Sequence, residues 1–232
     1  LTGTGRGFWA GGDVKAMTEG TELGGQTMEE KAQALRSRME TSRWLHEMAK
    51  PTIAMMRGPA AGAGLSLAMA CDMRIASDTV RLGTAFARVG YSGDFGGSYY
   101  LTQLVGTAKA RELYFTADLL DAQQALGLGL VNRVVPDARL EEETMALASR
   151  LARGPRVAYR YMKRNMNAAE SASLKDMLDL EAWHHTRTGM TEDHREAARA
   201  FVEKREPRFK ALCPASLPLP DSFPLLPGDW AG

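Results

Sequence analysis

The sequence predicts an α/β core followed by an α-helical C-terminal part. Apolar, strand-like stretches at 53–56 and 73–76 lie between helical patterns in the first part of the chain, whereas helix follows helix after residue 154. Alternating strands and helices are typical of α/β folds. We therefore assign 1–150 to the core and 151–210 to a helical region. The remainder, 211–232, holds five of the ten prolines and is expected to be an extended or disordered tail.

The composition limits the classes of ligand. The 232 residues are 44% apolar and 25% charged, which is ordinary for a globular protein. The net charge of +1 gives no reason to expect a nucleic-acid partner. No apolar run reaches the roughly 18 residues of a membrane helix, so no membrane partner is expected. Cys71 and Cys213 form neither a metal spacing nor a disulfide framework, which predicts a cytoplasmic location and no metal site.

The N-terminal elements follow from turn and cap signals. The chain opens on LTGTGRGF, which is typical of a strand already under way, so we expect further residues before Leu1. Gly11 and Gly12 predict a tight turn, and Asp13 suits the first turn of a short helix. A mobile loop is expected over 20–26 and a helix over 28–48, where apolar residues recur with an imperfect helical period.

The most informative stretch is 51–97. A strand at 53–56 leads into a small-residue turn at 58–64 and at once into a helix start at 65–70. A second strand at 73–76 precedes another glycine turn that holds one acid, Asp94. Glycine lets the backbone approach a ligand closely, and a helix N-terminus offers unpaired N–H groups. Such turns suit the oxygen of a carbonyl that becomes an enolate.

The rest of the chain is read mainly as helices. Periodicity and cap signals predict one short strand at 131–135 and helices over 99–105, 107–115, 121–128, 140–152, 155–167, 174–188 and 192–204.

Several segments then follow one another in the order of a known family. They are AGGDVKAM (10–17), KPTIAMMRGPAAGAGLSLAMACDMRIAS (50–77), ARVG (87–90), GDFGGS (93–98), LVGTAKAREL (104–113), ALGLGLVNRVVP (125–136) and AFVEKREPRF (200–209). From Leu1 to about Lys210 the chain thereby resembles the crotonase (enoyl-CoA hydratase/isomerase) superfamily. The resemblance implies a spiral of ββα units with a helical C-terminal trimerisation region. It also implies an acyl-CoA substrate, homotrimers or hexamers, and no metal or redox cofactor.

The resemblance assigns an oxyanion hole to two backbone N–H groups, those of Gly12 and Ala63. Fixed donors of this kind stabilise a developing enolate oxygen more than the ground-state carbonyl. The alternative is that both are ordinary tight-turn residues.

The resemblance also places four residues near coenzyme A. Ala10 and Lys15 belong to the first motif, and Lys15 matches a family lysine near the nucleotide end. Phe201 and Lys204 match positions that reach the coenzyme A of a neighbouring subunit. The simpler interpretation of Lys15 is a solvated lysine on a helix. For Phe201 and Lys204 it is an ordinary amphipathic helix.

The acids distinguish the reactions of the family. The hydratases use two glutamates, and Ser66 and Phe86 stand at the matching positions here, on the substrate-binding surface. Hydration needs water activated between acid and base groups. The missing glutamates therefore make typical hydratase chemistry doubtful.

Asp94 stands where family isomerases, including those resembling the ring-epoxide phenylacetyl-CoA isomerase, carry an aspartate. One carboxylate can take a proton from one carbon and return it two carbons away if the enolate is held. A helix cap or turn aspartate is the structural alternative. Aryl-CoA dehalogenases use an aspartate here as nucleophile, with a His and a Trp, but Phe86 occupies the Trp position. Hydratase, hydrolase or dehalogenase chemistry and a non-catalytic CoA-binding protein remain alternatives.

Overall fold

Two parallel sheets run through the first two thirds of the described chain. One holds β1 (Ile53–Met56), β3 (Met73–Ser77) and β5 (Arg133–Val135) in that order, and the other pairs β2 (Pro59–Ala61) with β4 (Arg81–Gly83). The computed structural model describes residues 1–20, 25 and 27–210. Most of the predicted loop at 20–26 and the whole tail at 211–232 lie outside these residues.

The chain advances as a spiral of ββα units. Successive strands alternate between the two sheets, and a helix follows the pairs β1–β2 and β3–β4. An earlier turn precedes them, because Thr2 bridges Met55 and Trp9 bridges Ala60, both in parallel. The predicted crotonase-like core is therefore confirmed.

Helices cover most of the remaining described residues. Their bounds are α1 (Val14–Glu19), α2 (Met28–Glu47), α3 (Ala63–Met69), α4 (Gly97–Thr116), α5 (Ala122–Gly127), α6 (Leu140–Ala152), α7 (Arg156–Ala169), α8 (Leu174–Gly189) and α9 (Glu192–Val202). Asp13 caps α1 by accepting from the N–H groups of Lys15 and Ala16. Asp121 caps α5 in a capping box with Gln124.

Gly106 interrupts α4. Its backbone has φ 75° and ψ 164°, a conformation outside the helical region that glycine adopts without strain. The predicted division into two helices, over 99–105 and 107–115, is confirmed by this break.

One local prediction is wrong. The stretch 58–64 was predicted to be a turn, but its centre forms strand β2, which pairs with β4 in the register Ala60 to Leu82. Pro59, Ala60 and Ala61 give no alternating pattern. Their partners lie more than 20 residues further along the chain, so pairing is a tertiary effect.

Helix α3 occupies the centre of the core. All seven of its residues are buried, and its main packing partner is α4. The helical region is tied to this core by Lys163 of α7, whose buried ammonium donates to Asp72 at 2.9 Å and to the carbonyl of Leu45 at 2.8 Å.

Across the described ranges, no helix is both long and apolar enough to cross a membrane. Within the same ranges, no group of three or more His, Cys, Asp or Glu side chains could hold a metal ion. Cys71 is buried and carries a free thiol.

Candidate active site

The two predicted oxyanion donors lie on neighbouring segments. Trp9 bridges Ala60, and the carbonyl of Trp9 accepts from the N–H of Ala61 at 2.9 Å. Three residues further along each segment are Gly12 and Ala63. In the part of the chain that the structure describes, neither N–H group donates to a protein acceptor. Neither N–H group is therefore used by the described part of the protein itself.

Glycines bring these segments together. Gly62, just before α3, has φ 54° and ψ −125°, which favours glycine. Gly64 lies so close to the first segment that an added Cβ would stand 2.2 Å from the carbonyl oxygen of Trp9. The small residues that looked like a turn in the sequence therefore allow a close backbone approach.

Asp94 lies in the loop between the 3-10 helix Phe86–Val89 and α4. It is not the cap of α4, because the N-cap is Gly96 and no side chain caps that helix. The buried carboxylate oxygen Oδ1 of Asp94 has no hydrogen-bond partner among the described residues. The structure therefore excludes the cap interpretation, whereas the backbone of Asp94 does begin a turn, since its carbonyl accepts from the N–H of Gly97 at 2.9 Å.

Burial raises the pKa of Asp94 from 3.8 to about 6. The charged form loses hydration, and no neighbouring cation of the described chain offsets that loss. A carboxyl group with a pKa near the working pH is well suited to accept a proton and to give it back.

The two positions that the resemblance matches to the hydratase glutamates are both buried. Ser66 is 1% exposed, and its hydroxyl donates to the carbonyl of Gly62 at 3.2 Å. Phe86 is 6% exposed and stacks on Tyr114, with ring centroids 5.8 Å apart. Neither side chain can exchange protons as a glutamate would.

An apolar wall closes another side of the site. Ala63 and Leu67 of α3 pack with Phe95, and Met39 of α2 lies against this cluster. Trp9 meets Phe95 edge to face, with ring centroids 6.2 Å apart. An apolar chain bound to the N–H groups would have a hydrophobic surface beside it.

The structure does not bring every predicted residue to this place. Ala10 adjoins the donor turn and is exposed, and Lys15 is exposed on α1. Phe201 is 85% exposed at the end of α9, and Lys204 lies just beyond that helix. Because α9 packs mainly on α8, these two residues stand apart from Asp94 in the single chain.

Two cavities lie elsewhere in the described structure. One of about 620 Å³ lies between β1 and α6, and one of about 290 Å³ lies beside α9. Gly12, Ala63 and Asp94 line neither of them. Neither of these two cavities therefore corresponds to the predicted site.

Comparison with known proteins identifies the family. Residues 1–212 match the family described as enoyl-CoA hydratase/isomerase. The chain belongs to that family.

Individual relatives of this family member carry different names. The short-chain-enoyl-CoA hydratase of Clostridium acetobutylicum is 34% identical over 89% of this chain and 77% of its own. The 1,2-epoxyphenylacetyl-CoA isomerase of Escherichia coli is 34% identical over 90% of this chain and 79% of its own. The crystal structure of an enoyl-CoA hydratase from Polaromonas sp. JS666 aligns with a TM-score of 0.84 at 32% identity, covering 89% of this chain and 79% of that one. Similarity alone thus supports a family enzyme without choosing its reaction.

Sequence reasoning missed one site residue of this family member, Tyr114. Its buried hydroxyl has no hydrogen-bond partner among the described residues, and burial, with a smaller contribution from the Asp94 carboxylate, raises its pKa to about 12. The sequence carries no local signal for this position. Tyr114 follows buried Leu113 in a helical pattern, and no motif marks it as a site residue. Its hydroxyl lies near Gly93 and Gly97, on either side of Asp94 in sequence, only because of the tertiary fold.

Replacing Gly64 with alanine tests the close approach that pairs the donors. The new methyl group would push the Trp9 backbone away from α3, and a displacement of about 1 Å can cost about 100-fold in rate. We expect kcat/KM on an enoyl-CoA to fall by about that factor, measured by steady-state kinetics. The matched control is Gly127→Ala in α5, where an added Cβ meets nothing within 4 Å. Equal activity of both variants would show that the spacing of the two segments is unimportant.

Proposed function

We propose that this protein is an enoyl-CoA isomerase that moves a double bond with Asp94 as its single acid–base group. Membership of the family supports an acyl-CoA substrate. The observation that carries the proposal is the half-buried carboxyl group of Asp94, whose buried Oδ1 has no hydrogen-bond partner among the described residues, while Ser66 and Phe86 stand in place of the hydratase glutamates. The N–H groups of Gly12 and Ala63, which donate to no described acceptor, support it.

The proposed reaction has two proton transfers. The Asp94 carboxylate removes a proton from the α carbon of a 3-enoyl-CoA, and the electron pair of that C–H bond forms a dienolate. The N–H groups of Gly12 and Ala63 stabilise the negative oxygen. The protonated carboxyl group then delivers its proton to the γ carbon, so the double bond moves and the thioester carbonyl reforms. Atoms and charge balance without water, a metal ion or a redox cofactor.

Binding roles for the other predicted residues are part of the proposal. Ala10 and Lys15 would contact coenzyme A beside the donor turn, while Ser66 and Phe86 would border the acyl group. Phe201 and Lys204 would reach the coenzyme A of a neighbouring subunit, which fits their high exposure on one chain.

A homotrimer, or a hexamer of two trimers, would bring those residues to a site. The helical region exposes many large apolar side chains, which typically mark protein–protein contacts. They are Met162, Met166, Leu174, Leu178, Trp183, Phe201 and Val202. A cytoplasmic location, predicted from the cysteine content, is also part of the proposal.

Product analysis in ¹⁸O-labelled water distinguishes the possible reactions. The enzyme is given a 3-enoyl-CoA and, separately, a 2-enoyl-CoA, and the products are followed by mass spectrometry. We expect the double bond to migrate in both directions, faster than any ¹⁸O-labelled 3-hydroxyacyl-CoA forms. Hydration faster than migration would make the protein a hydratase. Tight acyl-CoA binding by calorimetry with no turnover would make it a non-catalytic CoA-binding protein.

A further inference from the structure

Two buried polar atoms near the proposed acid–base centre have no partner in the described chain. One is Oδ1 of Asp94, and the other is the hydroxyl oxygen of Tyr114. A buried polar group without a hydrogen bond costs on the order of 1–3 kcal/mol. Two such groups side by side call for an explanation, because most buried polar atoms in proteins are hydrogen-bonded.

Glycines show that these groups share one small space. A Cβ added to Gly97 would stand 2.6 Å from the Tyr114 hydroxyl and 2.3 Å from Oγ of Ser66. One added to Gly93 would stand 3.3 Å from the same Tyr114 hydroxyl. Gly93 and Gly97 flank Asp94 in sequence, and the N–H of Gly97 donates to the carbonyl of Asp94 at 2.9 Å. The hydroxyl groups of Ser66 and Tyr114 therefore both lie close to Gly97, the first residue of α4, three residues after Asp94.

The surroundings of this space are otherwise apolar. The 3-10 helix contributes the Phe86 ring, which stacks on Tyr114. Helix α3 contributes Ser66, and the loop after Asp94 contributes buried Phe95. Burial, with a smaller contribution from the Asp94 carboxylate, raises the pKa of Tyr114 to about 12. Tyr114 is therefore a neutral donor at any working pH.

We propose that Tyr114 is a positioning residue that holds Asp94 through one bound water molecule. The water accepts from the Tyr114 hydroxyl, donates to Oδ1 of Asp94 and has Ser66 as a third partner. About three such bonds are typical of a buried structural water. With Oδ1 fixed, the other carboxylate oxygen is left to carry the proton between the α and γ carbons. This inference rests on the proposed role of Asp94.

Removing the Tyr114 hydroxyl tests the link. A hydrogen bond donated to a carboxylate favours its charged form, so Tyr114→Phe should raise the pKa of Asp94 by about one unit. We expect the acidic limb of kcat/KM to move to higher pH by that amount, and kcat at its plateau to fall about tenfold with little change in KM. Ser66→Ala, which removes the third partner of the water, should cause a smaller shift in the same direction.

The matched control is Tyr100→Phe. Tyr100 is a buried tyrosine of the same helix whose hydroxyl donates to the carbonyl of Ser42 at 3.4 Å, outside the site. The pKa of Asp94 is read directly by ¹³C NMR titration of labelled aspartate, assigned with Asp94→Asn. That measurement does not need turnover, so it separates failure of this link from failure of the proposed reaction. An unchanged pKa in Tyr114→Phe, or an equal shift in the control, overturns the inference.

Discussion

Asp94→Asn is expected to lower kcat for double-bond migration by about 10²–10⁴-fold, the usual contribution of a positioned acid–base group. Asparagine keeps the shape of the side chain but cannot take up or return a proton. Steady-state kinetics on a 3-enoyl-CoA measure the effect. The control is Asp179→Asn, at an aspartate of α8 whose side chain is 49% exposed and pairs with Lys175. If Asp94→Asn turned over at the rate of the control, the acid–base assignment would be wrong.

The same variant should not be destabilised at neutral pH. The folded pKa of Asp94 lies above its usual value, so ionisation opposes folding. Its unfavourable contribution appears as pH rises from about 4 to about 6 and is complete above that range. Asp94→Asn removes this unfavourable contribution. After allowance for solvent screening of a half-buried group, the variant should gain about 1 kcal/mol in free energy of unfolding at pH 7. An equal or higher melting temperature thus separates lost chemistry from lost folding.

Ala63→Pro is expected to lower kcat/KM by about 10²–10³-fold, because it deletes one of the two N–H donors to the enolate oxygen. Ala63 is the first residue of α3, and proline is well tolerated at the first helical position. The variant therefore removes the donor while leaving the helix able to form, which circular dichroism and thermal unfolding check. Ala63→Gly is the control, since it keeps the N–H group. A folded proline variant with activity within about threefold of that control would contradict an oxyanion hole at this position.

The helices were largely predictable because their signals are local. Asp13 and Asp121 begin helices in the sequence and cap them in the structure. Gly106 separated two helical patterns in the sequence, and its backbone breaks α4. In each case a single residue type satisfies or interrupts the backbone hydrogen bonds of a helix. The end or break of the helix can therefore be predicted from residues adjacent in sequence.

Strands β2 and β4 were not predictable for the opposite reason. Each has three residues and is defined only by pairing with a segment about 20 residues away. The donors could be proposed from the family motifs, but their adjacency follows from the approach of Gly64 to Trp9. Whether Asp94 was a cap or a free acid likewise depended on tertiary structure, as did its neighbour Tyr114.

Hydrogen exchange at the α carbon tests the central claim most directly, because it reports enolate formation whatever the final product. A 3-enoyl-CoA is incubated in D₂O, and deuterium at the α and γ carbons is followed by NMR across a pH series. We predict exchange in the wild type that rises with pH and is half-maximal near pH 6, where burial places the pKa of Asp94, and none above background in Asp94→Asn. Exchange at the wild-type rate in Asp94→Asn would contradict the account, and so would a wild type that shows neither exchange nor migration of the double bond.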